Sequence, residues 1–574
     1  MERKKLEELR AIYTDYLAWE LAGACRGVSS MEGGAVYAAA YVLLKAQSCE
    51  DVQLYTLDAF VESSGISESR AFFIKDCLQN NWHGIAAMKD NFDNDTLLAF
   101  LLYNEGGSKL GSESTPNSVI RLAEELMDIK PGDRVADFGT GKGAFIRECF
   151  AQQPEAIYYG DDINTVACEV ASIRAELLGG NITIVQEDIM DMKDAQQKFD
   201  TAFANYPFGL RAKDAFGSNY DSFKEFTRIN PEFARTVSLD WLFNKKVLDS
   251  IEGTRRAVCI MTNGSTWNTL DKEARTSFIE NGCVEAVIAL PNNLFSYTPI
   301  GTVMVVLSRD NTSVMMVDAR ELCSRGRRQN VITDDHIDEI LSAVESEGAR
   351  SKRISLDELK ANDYVLNPVR YMSEEVVIEN GVPFESVIKK ITRGAQLSAA
   401  DLDGLVSPVP TSVQYLMLQN IRDGIIDDEL PYLNELDPKQ EKYCIKDKSL
   451  ILSKNGYPYK VAVAEVPEGS KILANGNLFV IELNEDEVDP YFIKAYLESD
   501  KGIAMLKSIT VGATIPNIGV EQLKKITVPK PEMTEQKKVA ERYLTLVDEI
   551  KLLRRKIDRT TSDLKHLFDE GEVE

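Results

Sequence analysis

The sequence predicts an α/β protein: a doubly wound, Rossmann-like sheet of seven strands, with a helical segment before it and an α+β segment and a long helix after it. Three observations predict it. Between residues 134 and 307, short apolar runs alternate with stretches of helical periodicity. The first run leads into Asp137-Phe138-Gly139-Thr140-Gly141-Lys142-Gly143, with a glycine at every second position where strand gives way to helix. Near the far end, apolar residues from Val539 to Leu567 step by four and three without a break.

Size and composition set the frame. A chain of 574 residues exceeds what one core serves, and four domains are expected, over 1–108, 109–375, 376–531 and 532–574. With 44% apolar and 27% charged residues, it reads as a soluble globular protein. No apolar run approaches the roughly 18 to 20 residues a membrane span needs. Met1-Glu2-Arg3-Lys4-Lys5 leads into a charged helix rather than a leader core, so a cytoplasmic location with no membrane partner is expected. Nine cysteines include no C-x-x-C pair and the only histidines are His83, His336 and His566, so no metal site is expected. The net charge of −26 opposes diffuse binding to nucleic acid but leaves room for a local basic cleft. Candidates are Arg325-Gly326-Arg327-Arg328, Arg350 to Arg353, Lys389-Lys390 with Arg393, and Arg554-Arg555-Lys556, which the sequence does not rank.

Residues 1–108 read as helices, from the spacing of Leu6, Leu9, Ile12, Tyr13 and Tyr16 and the faces at Leu54 to Phe60 and Leu97 to Leu102. Next, Thr115 with Pro116 just inside a helix marks an N-terminus, continued by Val119, Ile120, Leu122, Leu126 and Met127. The strand Arg134-Val135-Ala136 then enters the glycine loop, where Gly139, Gly141 and Gly143 let the backbone turn sharply so that a bulky cofactor can approach. The spacing differs from the dinucleotide fingerprint and resembles the one used for S-adenosylmethionine. That cofactor has no pyrophosphate to cradle, and its cationic tail profits from the Asp137 carboxylate.

The second strand, Ala156 to Tyr159, leads into Gly160-Asp161-Asp162-Ile163. An acid there can accept both hydroxyls of a ribose, and we assign Asp162 to the ribose, Ile163 to the adenine face and Asp161 to the turn. The third strand, Ile182 to Val185, reaches Asp188, assigned to the cofactor's adenine amine. The fourth, Phe199 to Phe203, opens onto Ala204-Asn205-Tyr206-Pro207-Phe208-Gly209. Here the Asn205 side-chain oxygen and the Tyr206 main-chain carbonyl can accept both hydrogens of a planar NH2, drawing its nitrogen toward a nucleophilic geometry, and Phe208 can stack on the base. Strands at Arg256 to Met261, Val284 to Leu290 and Thr302 to Leu307 complete the seven.

The run from Gly111 to about Met372 resembles the modification subunit of type I restriction-modification systems, a family of DNA adenine-N6 methyltransferases. The segments Val284 to Phe295 and Asn362 to Tyr371 carry the likeness most closely. The resemblance implies a class I methyltransferase fold, cofactor contacts from Thr115, Pro116, Asp137, Gly139, Asp162 and Asp188, and catalysis by Asn205, Pro207 and Phe208. Thr140, Gly141 and Gly143 join them as loop residues, and Asn205 as a residue shared by cofactor and substrate. One departure is Tyr206, where the family normally has proline. Its expected contact is a main-chain carbonyl, which any residue supplies, so activity is expected to survive with a less stiff turn.

Residues 380–530 change texture to short strands and many turns. Tyr415 to Gly424, Ser449 to Gly456 and Gly512 to Ile518 resemble a target recognition domain of type I specificity subunits, with Lys454, Asn455 and Lys460 placed to contact base edges or phosphates. The tail residues Val539, Tyr543, Leu546, Ile550, Leu553, Ile557, Thr560, Leu564 and Leu567 form a coiled-coil seam. A resembled specificity subunit holds two recognition domains with two such helices. This chain has one of each, so a homodimer reading two half-sites of double-stranded DNA is expected, alongside a possible restriction or translocase subunit. The expectation is therefore sequence-directed adenine-N6 methylation within a restriction-modification or related defence system. Cytosine-N4 methylation and a noncatalytic DNA-binding subunit stand as alternatives.

Overall fold

All seven expected strands form, and two more extend the sheet. The computed structural model describes residues 1–25, 33–48, 52–106, 114–189, 198–211, 220–236, 238–296, 298, 300–326, 329–372, 378, 381–511 and 516–566. The strands are β1 (Arg134–Phe138), β2 (Ile157–Asp162), β3 (Ile182–Gln186), β4 (Thr201–Asn205), β5 (Ala257–Thr262), β6 (Val284–Ala289), β7 (Thr302–Leu307), β8 (Ser313–Asp318) and β9 (Ser351–Ser355). Their order is β9-β8-β6-β7-β5-β4-β1-β2-β3. β1 to β5 run parallel, β7 is antiparallel to both its neighbours, and β8 returns parallel to β6.

The expectation of seven strands is thus corrected to nine. β8 is apolar and buried from Val314 to Val317 and needs a neighbour on each side. β9 supplies the outer one and presents Lys352 and Arg353 to solvent, which blunts an exposed edge. Helices cover both faces, so successive residues alternate between two cores. Val135 and Phe203 enter one, Ala136, Phe138, Ala202 and Ala204 the other. Phe145 of the helix Ala144–Gln152 stacks on Phe203 at 4.2 Å between centroids, fixing the helix after the glycine loop against β4.

The chain divides into two compact units, Met1–Met372 and Ser373–Glu574; the expected boundaries at 108/109 and 375/376 lie outside the described residues. Within the first unit the N-terminal helices share the sheet's packing. The helix Gly34–Ser48 is apolar on nearly every face and is buried almost throughout. It packs on Asn94–Tyr103 and on Val170 and Ile173 of Thr165–Leu178, the helix that follows β2. These helices gather a core cluster of their own between Leu17 and Leu101, which Val170 and Ile173 join from the sheet's side.

The second unit is α+β, as expected. An antiparallel sheet joins Ile388–Arg393, Leu478–Leu483, Leu450–Ser453 and Val461–Val463, backed by Pro490–Glu498 and Asp500–Ser508. The helix Met533–His566 begins docked within this unit. Gln536 is fully buried, its amide donating to the carbonyls of Glu487 and Pro531 while accepting from Asp489 N. Tyr543, one of the expected seam residues, instead turns inward and donates to Glu498 at 2.6 Å. Beyond it Leu553, Ile557 and Leu564 are 59, 63 and 63% exposed, and Leu567 lies outside the described residues. Among the described residues no helix is long and apolar enough to cross a membrane.

Candidate active site at the carboxyl edge of the sheet

Parallel register brings the expected residues to one edge. Phe138 pairs with Asp161 on one side and Ala204 on the other, and Asp161 pairs with Val185. The residues that follow these four positions in the chain, including Gly139, Asp162 and Asn205, therefore line one rim.

The glycine loop adopts the conformation its spacing requires. Gly139, Gly141 and Gly143 have φ of +71°, +55° and +78°. A Cβ on Gly141 would meet nothing within 4 Å and one on Gly139 only the Asn205 carbonyl at 3.9 Å, so the backbone there faces open space. Two aspartates at the end of β2 pin it. Gly139 N donates to Asp161 Oδ1 at 3.0 Å and Gly141 N to Asp162 Oδ2 at 2.9 Å, while Asp162 Oδ1 also accepts from Asn164 N at 2.8 Å. Thr140 turns inward and donates to Asp137 Oδ2 at 2.6 Å.

Asp161 is thus not a turn residue. It belongs to β2, is 1% exposed, and its Oδ2 has no hydrogen-bond partner among the described residues. The signal was the doubled acid at the strand end, only one of which a ribose needed. Burial, with the Asp162 charge adding to it, pushes the Asp137 carboxyl up to about 7. Burial and then the charges of Asp137 and Asp162 push Asp161 up to about 8. Ile163 is 70% exposed beside them, and Asp188 stands two residues past β3.

At the end of β4, Asn205 Nδ2 donates to Thr115 Oγ1 at 2.8 Å, whereas Asn205 Oδ1 is buried without a partner among the described residues. Thr115 does not act as a helix cap. The helix is Asn117–Met127 and Pro116 is its cap residue, one place later than expected, which frees the threonine hydroxyl to orient the asparagine. Tyr206 is 5% exposed; its ring stacks on Phe243 at 4.4 Å and its hydroxyl donates to the Phe243 carbonyl at 3.4 Å. The stiffness lost with proline is recovered by anchoring this side chain in the core. Pro207 is exposed, Gly209 turns the chain at φ +68°, and Phe208 is half-buried with its ring edge-on to Phe295 at 5.1 Å.

A buried ionic cluster behind the glycine loop was not anticipated. Arg147 and Arg174, 2% and 1% exposed, converge on Glu105 at 2.6 and 3.1 Å. Arg174 also donates to the Lys142 carbonyl inside the loop, and Lys142 Nζ donates to the Glu105 carbonyl. The N-terminal helices therefore clamp the loop. Nothing local in the sequence pairs Glu105 with arginines 42 and 69 positions away. Among the described residues, no three His, Cys, Asp or Glu side chains are grouped to hold a metal ion.

Residues 97–380 match the family model described as N-6 DNA Methylase, and residues 429–560 the one described as Type I restriction modification DNA specificity domain. Over 331 residues the chain is 25% identical to the Type I restriction enzyme MjaIX methylase subunit of Methanocaldococcus jannaschii, covering 50% of this chain and 56% of that protein. Over 317 residues it is 24% identical to the HindI methylase subunit of Haemophilus influenzae, covering 50% and 69%. The chain thus spans little more than half the length of the first of these relatives. A solved methyltransferase subunit of a type I restriction-modification system from Streptococcus thermophilus superposes with a TM-score of 0.47 at 21% identity, over 63% of this chain and 86% of that one.

Proposed function

We propose that this chain, an N-6 DNA methylase region joined to a type I DNA specificity region, transfers a methyl group from S-adenosylmethionine to the N6 of adenine in double-stranded DNA at sites that its own second unit selects. The observation that carries the reading is the Asn205 amide: half-buried, tethered through its nitrogen to Thr115, and left with a buried oxygen that has no partner among the described residues. An unpaired buried acceptor costs about 1 to 3 kcal/mol. An exocyclic amine of an extruded base satisfies it.

The residues fit the cofactor. The open backbone at Gly139 and Gly141 admits a bulky ligand, the ionisable Asp137 and Asp161 suit a cationic one, and Asp162 and Ile163 suit a ribose and an adenine face. When bound, S-adenosylmethionine supplies an electrophilic methyl group. Asn205 Oδ1 accepts one amine hydrogen and the Tyr206 carbonyl the other, localising the nitrogen lone pair toward that methyl. Phe208, braced by Phe295, stacks on the flipped base. With that methyl group as the acceptor, the nitrogen would form its new bond to carbon as the carbon–sulfur bond breaks and a neutral thioether leaves, and the surplus proton on nitrogen would go to solvent.

Incorporation of tritiated methyl into genomic DNA tests the reading, and methylation-aware sequencing identifies the base and its context. Label on cytosine, or none at all with cofactor still bound, would overturn it. Because the cation selects the ionised Asp137, binding releases a proton wherever that carboxyl is protonated beforehand. Affinity for S-adenosylmethionine is therefore expected to rise about tenfold from pH 6 to 8 and level off above the carboxyl's value of about 7. Calorimetry in buffers of different ionisation heat checks this, and Asp137→Asn should weaken the dependence, leaving only what Asp161 contributes.

The exposed stripe Leu546, Ile550, Leu553, Ile557 and Leu564 supports pairing of two chains through Met533–His566. Tyr543 is spent within its own unit, so the seam starts at Leu546. Leu553→Glu with Ile557→Glu is expected to convert a particle of about twice 64.1 kDa to one of 64.1 kDa in light scattering. A wild-type monomer would end the dimer proposal.

A further inference from the structure

Ion pairing ranks the basic patches that the sequence left equal. Arg350 and Lys352 sit 3.0 and 3.3 Å from Glu339 and Glu358. Lys390 lies 3.9 Å from Glu482 and Arg555 lies 3.6 Å from Asp428, while Arg554 pairs with Asp423. Arg327 and Arg328 lie outside the described residues. Among the described residues no carboxylate comes within 4 Å of Arg393, Lys454, Lys439 or Lys442; the same holds for Arg325, Arg353, Lys389 and Lys556, but of the patch residues it is Arg393 that lines a cavity with other unpaired cations.

Arg393, Lys439 and Lys442 line one groove of the second unit. Arg393 ends its strand and donates through Nε to the Gly476 carbonyl at 2.7 Å. With its amide oxygen turned toward the guanidinium, Gln396 accepts from Arg393 as well, so the cation is held in place by neutral groups. The crossing beneath is close enough to need glycine. A Cβ on Gly394 would lie 2.2 Å from the Asn475 carbonyl oxygen, and one on Gly476 would lie 2.9 Å from Gln396. A cavity of about 340 Å³ opens there, lined by Arg393, Gln396, Lys439, Gln440, Lys442 and Tyr443 among others, and none of its lining residues is acidic.

Lys454 adjoins this groove. Its backbone N–H donates to Asn477 O at 2.8 Å, and burial, with the nearby Arg393 charge adding to it, lowers its pKa. The next residue, Asn455, donates to Asn477 Oδ1 at 3.3 Å and places two amide side chains beside the cations. Lys460, expected to face DNA, does not belong to the group. Its ammonium donates to the carbonyls of Leu418 and Ile421 at 3.0 and 2.7 Å and is used inside the unit. Of the likeness at Gly512 to Ile518, residues 512–515 lie outside the described residues.

We propose that this groove seats the sugar-phosphate backbone of duplex DNA, with Arg393 and Lys454 on successive phosphates, Lys439 and Lys442 on its rim, and Gln396, Asn455 and Asn477 facing the base edges alongside. On a chain of net charge −26, unneutralised cations over an acid-free groove form a local attractive field where the rest of the surface repels phosphate. The inference rests on the proposed methyltransferase function and names the part of the second unit that meets its substrate.

The test measures binding of the full-length protein to a fluorescein-labelled, random-sequence duplex of about 30 base pairs by anisotropy across a salt series. Arg393→Gln with Lys454→Gln is expected to weaken binding at least tenfold at low salt. The slope of log K against log salt should become shallower by about 2, since each phosphate contact contributes about 0.9. Lys446→Gln with Lys448→Gln, which removes two cations already paired to Glu482 and Glu485, should change affinity less than twofold. If the first variant melts early, the exposed Lys439→Gln with Lys442→Gln reads the same slope. Unchanged binding by the groove variants, or an equal loss in the paired control, overturns the inference. A wild-type protein that methylates genomic DNA while its groove variants bind normally sinks this inference alone, whereas one that neither binds nor methylates DNA sinks the functional reading as well.

Discussion

Asn205→Ala is expected to lower methyl transfer by about 10² to 10³-fold while leaving affinity for cofactor and DNA within about twofold, by analogy with deletion of one preorganised polar group from an active site. The substitution removes the acceptor that is unpaired among the described residues and nothing that the fold needs. Only one hydrogen bond of the side chain, to Thr115, is lost with it. Single-turnover transfer from tritiated cofactor, with calorimetry of the cofactor and anisotropy of DNA on the same preparation, separates chemistry from binding. Retention of full transfer would remove Asn205 from the mechanism. Thr115→Val should give a smaller loss in the same rate, because the amide is then free to present its nitrogen in place of its oxygen, and Thr115→Ser should restore it.

The second large effect is on stability. Glu105→Ala is expected to cost roughly 3 kcal/mol and to lower the melting temperature of the first unit, because it leaves Arg147 and Arg174 buried with less countercharge. Arg147 keeps Glu148 at 2.7 Å and Arg174 keeps three backbone carbonyls, which holds the loss at this level. The same carboxylate gives stability a pH signature. Although burial alone would raise its pKa, the charges of Arg174 and Arg147 outweigh that and hold Glu105 down at about 2, against 4.5 for the free side chain. A depressed carboxylate stabilises fully above its unfolded value. The contribution is therefore present above about pH 4.5 and is lost as pH falls from there toward 2. Denaturant melts at pH 7 and pH 3 check it: the gap between wild type and Glu105→Ala should shrink at the lower pH. A constant gap would mean that the cluster does not carry this charge coupling.

Much of the fold could be read from short stretches. Asp137 to Gly143 announced a strand, a loop and a helix because positive φ at alternate positions is tolerated by glycine and by few other residues. Val135, Phe203 and their neighbours gave strand positions because a sheet covered on both faces needs apolar residues throughout. Of the two added strands, the outer one was missed for the opposite reason. β9 is a charged edge strand whose Lys352 and Arg353 look like a solvated turn until β8 is seen to need a partner. Thr115 was read as a helix signal because spacing cannot distinguish a cap from a hydroxyl bonded to a residue 90 positions on. The tail was read as one unbroken seam, whereas Tyr543 found a closer partner in Glu498.

The sequence by itself determined what is decided within a few residues: element types, the sharp loop at Gly139 to Gly143, the Asn205 turn, the stripe along the last helix. These depend on backbone sterics and on periodicity, which a local string carries in full. Only the tertiary structure decided which polar atoms find partners. Asn205 keeps an unpaired oxygen, Asp161 becomes a buried acid, Lys460 is used internally and Arg393 stays without a counter-ion among the described residues. Hydrogen bonds and charges act over a few ångströms between groups tens or hundreds of residues apart, so their pairing is fixed by the fold and not by the order of the chain.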